Sequence, residues 1–285
     1  MSLSRRQFLS LTTGTVLAGA LPPVAAGHAD AAETCKAVVF DAFPIFDPRP
    51  TSRVAEGLFP GAGVNLMNVW RTRQFDYQWW RALSNKYVDF WQATADSLTF
   101  AAKQNGLHMT DQARDELMGT YSNLTVWPDV PESLRLLHAA GIRLGILSNM
   151  TKEMLEAGLA GARLGGLFEH VLSTDQIKTY KPAPSAYQLA ADAFALPRQE
   201  ILFVPFAGWD VAGAKWFGYP AFWVNRLGSP AEELGVIPDG AGKDLQALTA
   251  FVLRSAKPDE RTNARKSAAP DGFACASASL HGRRS

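Results

Sequence analysis

Hydrophobic spacing changes character twice along the chain. Ala37 to Phe40 is an unbroken apolar run containing two valines, bounded by polar residues and followed by a proline-containing loop, which predicts a short, fully buried strand. From Gly61 to about Leu124 the pattern is different. Val64, Met67, Val69, Trp70, Phe75, Trp79, Trp80, Leu83, Tyr87, Phe90, Trp91, Leu98 and Phe100 recur largely at three- and four-residue steps, which predicts amphipathic helices. Thr110 is placed to cap another, from Asp111 to about Tyr121. After Pro128 short apolar runs alternate with helical stretches. A helix from about Pro131 to Ala140 stops at Gly141, where a left-handed residue is least strained, and a strand Ile142 to Leu147 ends in Ser148 and Asn149. Thr151 caps the next helix. Val171 and Leu172 form a strand, Lys181 and Pro182 lead into a helix from about Pro184 to Ala195, and Ile201 to Val204 is a buried strand. A helix carrying Trp209 and Asp210 runs to Phe217, and Ala221 to Val224 closes the sheet.

Strands separated by helices in this rhythm predict an α/β fold, a doubly wound, Rossmann-like parallel sheet. The helical stretch after the first strand is then an inserted cap subdomain. The expected division is a core of residues 33–57 and 125–253, a cap of residues 58–124, and a tail of residues 254–285. In the tail Ser, Ala, Gly and charge predominate, too little apolar surface to offset ordering entropy, so it is expected to be disordered.

With 285 residues, 47% of them hydrophobic, there is material for a large core. A net charge of +1 without long charged runs gives no footprint for nucleic acid or a charged membrane, so small-molecule chemistry is expected. The two cysteines, Cys35 and Cys275, have no zinc-like spacing, and whether they pair is not readable from their positions.

Residues Ser4-Arg5-Arg6-Gln7-Phe8-Leu9 resemble the twin-arginine export signature, followed by a moderately apolar stretch to Ala26. Gly27-His28-Ala29 and Ala29-Asp30-Ala31 both fit a signal-peptidase site, so residues 1–32 are expected to be a leader and the product periplasmic or secreted, with no stable membrane insertion after processing. Gly14, Gly19, Pro22 and Pro23 interrupt the stretch and weigh against a permanent anchor.

Polar residues recur just past the strand ends, where an open parallel sheet presents its ligand crevice. Asp41 follows the first strand, Ser148 and Asn149 the second, and Asp210 a later one, with Lys181 between. Asp41 reads equally as a nucleophile or as the cap of the next turn. Together with Leu58-Phe59-Pro60-Gly61, Val69-Trp70-Arg71 with Gln74, Tyr180-Lys181-Pro182 with Tyr187, Gly213-Ala214 and Trp223-Val224-Asn225-Arg226, these residues resemble the haloacid dehalogenase superfamily, closest to its L-2-haloacid dehalogenases.

The resemblance spans roughly residues 36 to 252. It implies hydrolysis of short 2-haloalkanoic acids to halide and 2-hydroxy acid through an aspartyl ester, without cofactor or metal. Asp41 would be the nucleophile, Lys181 the cation that keeps it ionised, and Asp210 the group that positions or activates water. The same resemblance puts Arg71 and Asn149 at the departing halide, Ser148 at the substrate carboxylate, Phe43 and Trp209 on the apolar wall, and Tyr187 near the site. It also implies a homodimer.

The superfamily's phosphatases resemble Asp-x-Asp at the first motif and use magnesium. Here the second position is Phe43, whose ring transfers no proton. Two stretches depart from the dehalogenase pattern. Phe43-Pro44-Ile45-Phe46-Asp47 is one residue shorter than the family's Tyr-Gly-Thr-Leu-Phe-Asp, and Pro205-Phe206-Ala207-Gly208 replaces Ser-Ser-Asn-Ala. The expectation is a reshaped, more apolar pocket lacking the side chains that orient the lysine, the second aspartate and the water. Two other readings stay open: a catalytically silent binding protein on this fold, and a phosphatase of the superfamily.

Overall fold

The computed structural model describes residues 34–255. The leader expected in residues 1–32, Cys275 and the tail from residue 256 lie outside the described residues. In chain order, β1 (Ala37–Phe40) is followed by a single helical turn, α1 (Ala42–Ile45), and a short strand, β2 (Phe46–Asp47). Four helices come next, α2 (Arg49–Leu58), α3 (Gly63–Leu83), α4 (Phe90–Gln104) and α5 (Asp111–Ser122). The chain returns through β3 (Thr125–Val126) to α6 (Val130–Ala139), β4 (Arg143–Ser148), α7 (Lys152–Gly161), β5 (His170–Ser173) and α8 (Pro184–Phe194). It ends with β6 (Ile201–Val204), α9 (Gly208–Phe217), β7 (Phe222–Val224), β8 (Gly240–Gly242) and α10 (Leu245–Ser255).

Four strands form a parallel sheet in the order β5-β4-β1-β6. β1 is central and buried on both faces. Val38 and Phe40 pack with Leu134 and Leu137 of α6, Leu155 and Leu159 of α7 and Leu248 of α10. Ala37 and Val39 pack with Ala190 and Phe194 of α8 and Ala214 and Phe217 of α9. This two-sided burial is why the strand reads as a continuous apolar run, and Val38, Val39 and Phe40 contribute about 1.5–3 kcal/mol each. The chain moves outward from β1 through β4 to β5, then crosses back to β6 on the other side of β1. That reversal leaves a crevice at the carboxyl ends, where Phe40 is in register with Ile146 on one side and Val204 on the other.

The expected caps form. Thr110 accepts from the amide of Ala113, Thr151 accepts from that of Met154, and Gly141 has φ +80°. The sheet does not close at Ala221–Val224. Ala221 bridges Phe203, and β7 then pairs in parallel with β8 beyond it. Gly240-Ala241-Gly242 carries no apolar or β-branched pattern, so nothing in the sequence marks it as a strand. A Cβ at Gly240 would come within 2.7 Å of the Phe222 ring, so glycine permits this close approach. Arg254 and Ser255, assigned to the tail by composition, are the last residues of α10.

Helical structure begins earlier than the aromatic pattern indicates. α2 ends at Leu58 and packs on α3 and α5, its Thr51 hydroxyl 2.9 Å from that of Thr120. The segment after Asp41 is also not an open loop. Pro44 sits inside α1, in the first turn, where a missing N–H leaves no helical bond unmade. β2 then pairs antiparallel with β3.

Trp127 and Arg226 brace this turn from behind. Trp127 Nε1 donates to the carbonyls of Phe43 and Phe46, both at 3.0 Å. Arg226 donates to the Pro44 carbonyl from Nε at 3.0 Å and Nη2 at 2.7 Å while pairing with Asp129. Replacing Trp127 with Phe keeps an aromatic ring but strips both carbonyls of this donor. The expected loss is about 1–3 kcal/mol of unfolding free energy, read as a lower urea midpoint at unchanged slope.

Candidate active site

Asp41 leaves β1 with extended backbone, φ −60° and ψ 164°, and caps α1: its Oδ2 accepts from the Phe43 amide at 3.2 Å. Its other oxygen, Oδ1, accepts from Lys181 Nζ at 2.7 Å. Capping and chemistry are therefore compatible uses of one carboxylate. Lys181, 1% exposed, reaches across the crevice and also donates to Asp210 Oδ2 at 2.6 Å. Asp210 lies in the first turn of α9, just past β6. Lys181 lies just ahead of α8, so the three charged groups come from three separate parts of the chain.

Burial pulls the Lys181 pKa down, but the charges of Asp210 and Asp41 outweigh it and hold the ammonium above the ordinary lysine pKa. Burial pushes the Asp210 carboxyl up. The attraction of Lys181 opposes that shift, the charge of Asp41 adds to it, and the pKa stands at about 6. Asp210 is thus an ionised acceptor at neutral pH and loses its charge in mildly acidic solution.

A cavity of about 710 Å³ opens over these groups. Asp41, Lys181, Asp210, Ser148 and Asn149 line its base. Phe43, Phe206 and Trp209 form an apolar wall, with Phe43 and Phe206 ring centroids 5.9 Å apart and Trp209 4.5 Å from Phe75. Arg71 is exposed on α3 and bonds Ser52 Oγ at 3.2 Å. It lines the same cavity, at the boundary with a neighbouring one.

Tyr187 does not line the cavity. It is fully buried behind Asp210 and donates to Asp210 Oδ1 at 2.6 Å. Burial and the charge of Asp210 push its phenol well above the ordinary value, so it remains a donor. Its place depends on Gly213, where a methyl group would overlap the Tyr187 hydroxyl and come 2.8 Å from Pro182 Cβ.

The side chains expected to be missing around the lysine are replaced by others. The Lys181 amide donates to Asn149 Oδ1 at 2.9 Å, and its carbonyl accepts from Trp79 Nε1 on α3 at 3.1 Å. Asn149 is held in turn, its Nδ2 donating to Gln78 Oε1 at 3.0 Å and its Oδ1 accepting from Thr174. Gln78 and Trp79 are invisible to periodicity, which sorts helix positions into faces without saying where an indole N–H or an amide points. Ser148 Oγ accepts from the Met150 amide at 3.1 Å, which leaves its own hydrogen free to donate.

Among the described residues no three His, Cys, Asp or Glu side chains converge as a cation site would require. The acidic groups at the base are both taken by Lys181, and the residue two positions past Asp41 is Phe43.

A carboxylate at the first strand end, a polar pair at the second, a buried lysine and a second carboxylate now stand in one crevice. A family model described as haloacid dehalogenase-like hydrolase matches residues 13–218. The chain belongs to the haloacid dehalogenase-like hydrolases. Among curated relatives, an (S)-2-haloacid dehalogenase of Pseudomonas sp. (strain YL) is 37% identical over 227 residues, covering 79% of this chain and 98% of the relative. A crystal structure of an L-2-haloacid dehalogenase superposes with TM-score 0.75 at 44% identity, covering 77% of this chain and 99% of that one. The L-2-haloacid dehalogenase of Xanthobacter autotrophicus, solved with chloropropionic acid covalently bound, superposes with TM-score 0.71 at 32% identity, over 77% of this chain and 98% of that one.

For this member of the family, two substitutions test the electrostatics. Tyr187→Phe removes a hydrogen bond that favours ionised Asp210, so the Asp210 pKa rises above about 6. Any step that needs the Asp210 carboxylate then has its acid limb moved toward higher pH by about one unit, measurable in the pH profile. Lys181→Met leaves two buried carboxylates facing each other unpaired. It is expected to cost about 3–5 kcal/mol in denaturant unfolding at neutral pH.

Proposed function

We propose that the chain is a hydrolytic 2-haloacid dehalogenase working through an ester on Asp41. The observation that carries this reading is the single buried ammonium shared by Asp41 and Asp210, at 2.7 and 2.6 Å. Lys181 bonds Oδ1 of Asp41 without blocking Oδ2, which accepts a hydrogen bond from the Phe43 amide at 3.2 Å. That carboxylate attacks the halogen-bearing carbon from the side opposite the halogen, the new C–O bond forming as the carbon–halogen bond breaks and its electron pair leaves with the halide. The carbon inverts.

The free hydroxyl hydrogen of Ser148 supports a role at the substrate carboxylate, and Arg71 supplies positive charge on the cap side. Esterification removes the Asp41 charge, one of the causes that hold the Asp210 carboxyl up at about 6. Asp210 is then more fully ionised when water enters. It takes a proton from water as the oxygen adds to the ester carbonyl; collapse of the adduct expels the alkoxide, which takes that proton back from Asp210 and leaves as a 2-hydroxy acid, and the new Asp41 carboxyl gives its own proton to solvent. Phe43 in place of a second acid argues against phosphoryl transfer by this site.

We also infer an exported homodimer. The twin-arginine-like residues 4–9 support export, and the exposed Trp80 and Leu83 of α3 offer apolar surface to a second copy.

Turnover of L-2-chloropropionate in heavy-oxygen water, followed by mass spectrometry, tests the chemistry. Heavy oxygen is expected in Asp41 and in the lactate after several turnovers. Asp41→Asn should release no halide. Asp210→Asn should accumulate the ester, with hydrolysis slowed by about a hundredfold to ten-thousandfold. Halide release from Asp41→Asn, or a complete absence of ester and halide with the unaltered protein, sinks the reading.

A further inference from the structure

A second cavity of about 560 Å³ adjoins the reaction cavity and is lined by Pro48, Arg49, Ser52, Arg53, Arg71 and Leu227. Pro48, Arg71 and Leu227 line both cavities, so the two spaces meet at those side chains. Three guanidinium groups thus surround one vestibule. Asp47 is the carboxylate beside them, and it is held by Arg49 through Nε at 2.9 and 3.0 Å and Nη2 at 2.7 Å. Arg53 lowers the Asp47 pKa only through its charge, after burial and the stronger bonds from Arg49. Arg71 has a hydroxyl partner, Ser52. Among the described residues neither Arg53 nor Arg71 forms an ion pair, so the vestibule carries more cationic than anionic charge.

A short haloacid has no use for this vestibule. Its one carboxylate is served beside Asp41, and two or three carbons fill little of a cavity of about 710 Å³. A substrate that spans the boundary at Arg71 and ends in a second anion would fill both spaces. Guanidinium groups suit a terminal carboxylate, which they can grip through two parallel N–H bonds.

We infer that Arg53, with Ser52, forms a subsite for a second carboxylate just beyond Arg71, and that 2-haloalkanedioic acids are the preferred substrates. This rests on the dehalogenase reading. Arg53 determines specificity here and touches none of the reacting atoms.

Halide release is measured for 2-chlorobutyrate, 2-chlorosuccinate, 2-chloroglutarate and 2-chloroadipate with the unaltered enzyme and with Arg53→Gln. At least one diacid is expected to show a higher kcat/KM than 2-chlorobutyrate. Arg53→Gln should lower the ratio of diacid to monoacid kcat/KM at least about fivefold, mainly through KM. An equal loss on both substrate classes would mean general attraction of anions and overturns the subsite, as does the absence of any preference for a diacid. If no substrate releases halide, the dehalogenase reading fails by itself. Calorimetry with glutarate then decides the subsite: binding that weakens in Arg53→Gln upholds it, and binding that is absent or equal in both proteins overturns it.

Discussion

A lysine ammonium 1% exposed to solvent sits between two carboxylates, and most of the architecture around it can be derived from the cost of keeping it there. Removing one ion from water costs several kcal/mol even after relaxation. Two buried carboxylates that share one ammonium repel each other, and the cation between them offsets that repulsion. Each of the three groups is therefore tolerable only in the presence of the others. The parallel sheet meets part of that condition by register: Phe40 is in line with Val204, so Asp41 and the start of α9 are neighbours, while Lys181 arrives from the segment after β5. The triad still carries one net negative charge, an unfavourable site for an anionic substrate unless positive charge is supplied from elsewhere. The insertion supplies it, through Arg71 on α3 and Arg53 on α2, the charge of Arg49 being taken by Asp47.

The inserted helices also hold the chemistry in place. Trp79 bonds the carbonyl of Lys181, and Gln78 bonds the asparagine that in turn accepts from the Lys181 amide. Both peptide groups of the lysine are thus tied, one directly and one through Asn149, to α3. A side chain that spans two carboxylates has little freedom to adjust, so the position of its backbone sets the charge geometry. Phe75, Trp79 and Trp209 close the same side with aromatic contacts, and a drier chamber strengthens every electrostatic interaction at its base.

How much of this was legible follows from what each signal encodes. β1 and β6 were readable residue for residue because burial on both faces leaves unbroken apolar runs, and Asp41, Ser148, Asn149 and Asp210 were readable because each sits at or just past a strand end. β8 was not, since a glycine-rich edge strand held by neighbouring rings has no pattern of its own. α2 was missed because the aromatic pattern that marks the helices begins only after Leu58-Phe59-Pro60-Gly61. Tyr187 was placed near the site only by resemblance: helical spacing gives a face, and only the packing against Gly213 shows that its hydroxyl supports the Asp210 carboxylate from behind. Gln78 and Trp79 lay within an aromatic, amphipathic stretch whose ordinary explanation is core packing.

The departures from the family pattern have a common physical consequence. Pro205, Phe206 and Ala207 cannot hydrogen-bond through side chains, and Pro44 removes an amide in the turn after Asp41. A buried charge, however, requires enough well-placed donors and acceptors, whatever residues supply them. Here Asp210 takes its second donor from Tyr187, Lys181 is fixed through Asn149 and Trp79, and the turn after Asp41 is fixed through Trp127 and Arg226. These donors bind from behind or from the insertion, which leaves the cavity side of the site to Phe43, Phe206 and Trp209. The polar support is moved outward and the reaction surface becomes more apolar. A substrate held by such a surface gains little orientation from the wall itself, so orientation has to come from the groups at the ends of the cavity: Ser148 at the base and the arginines at the mouth.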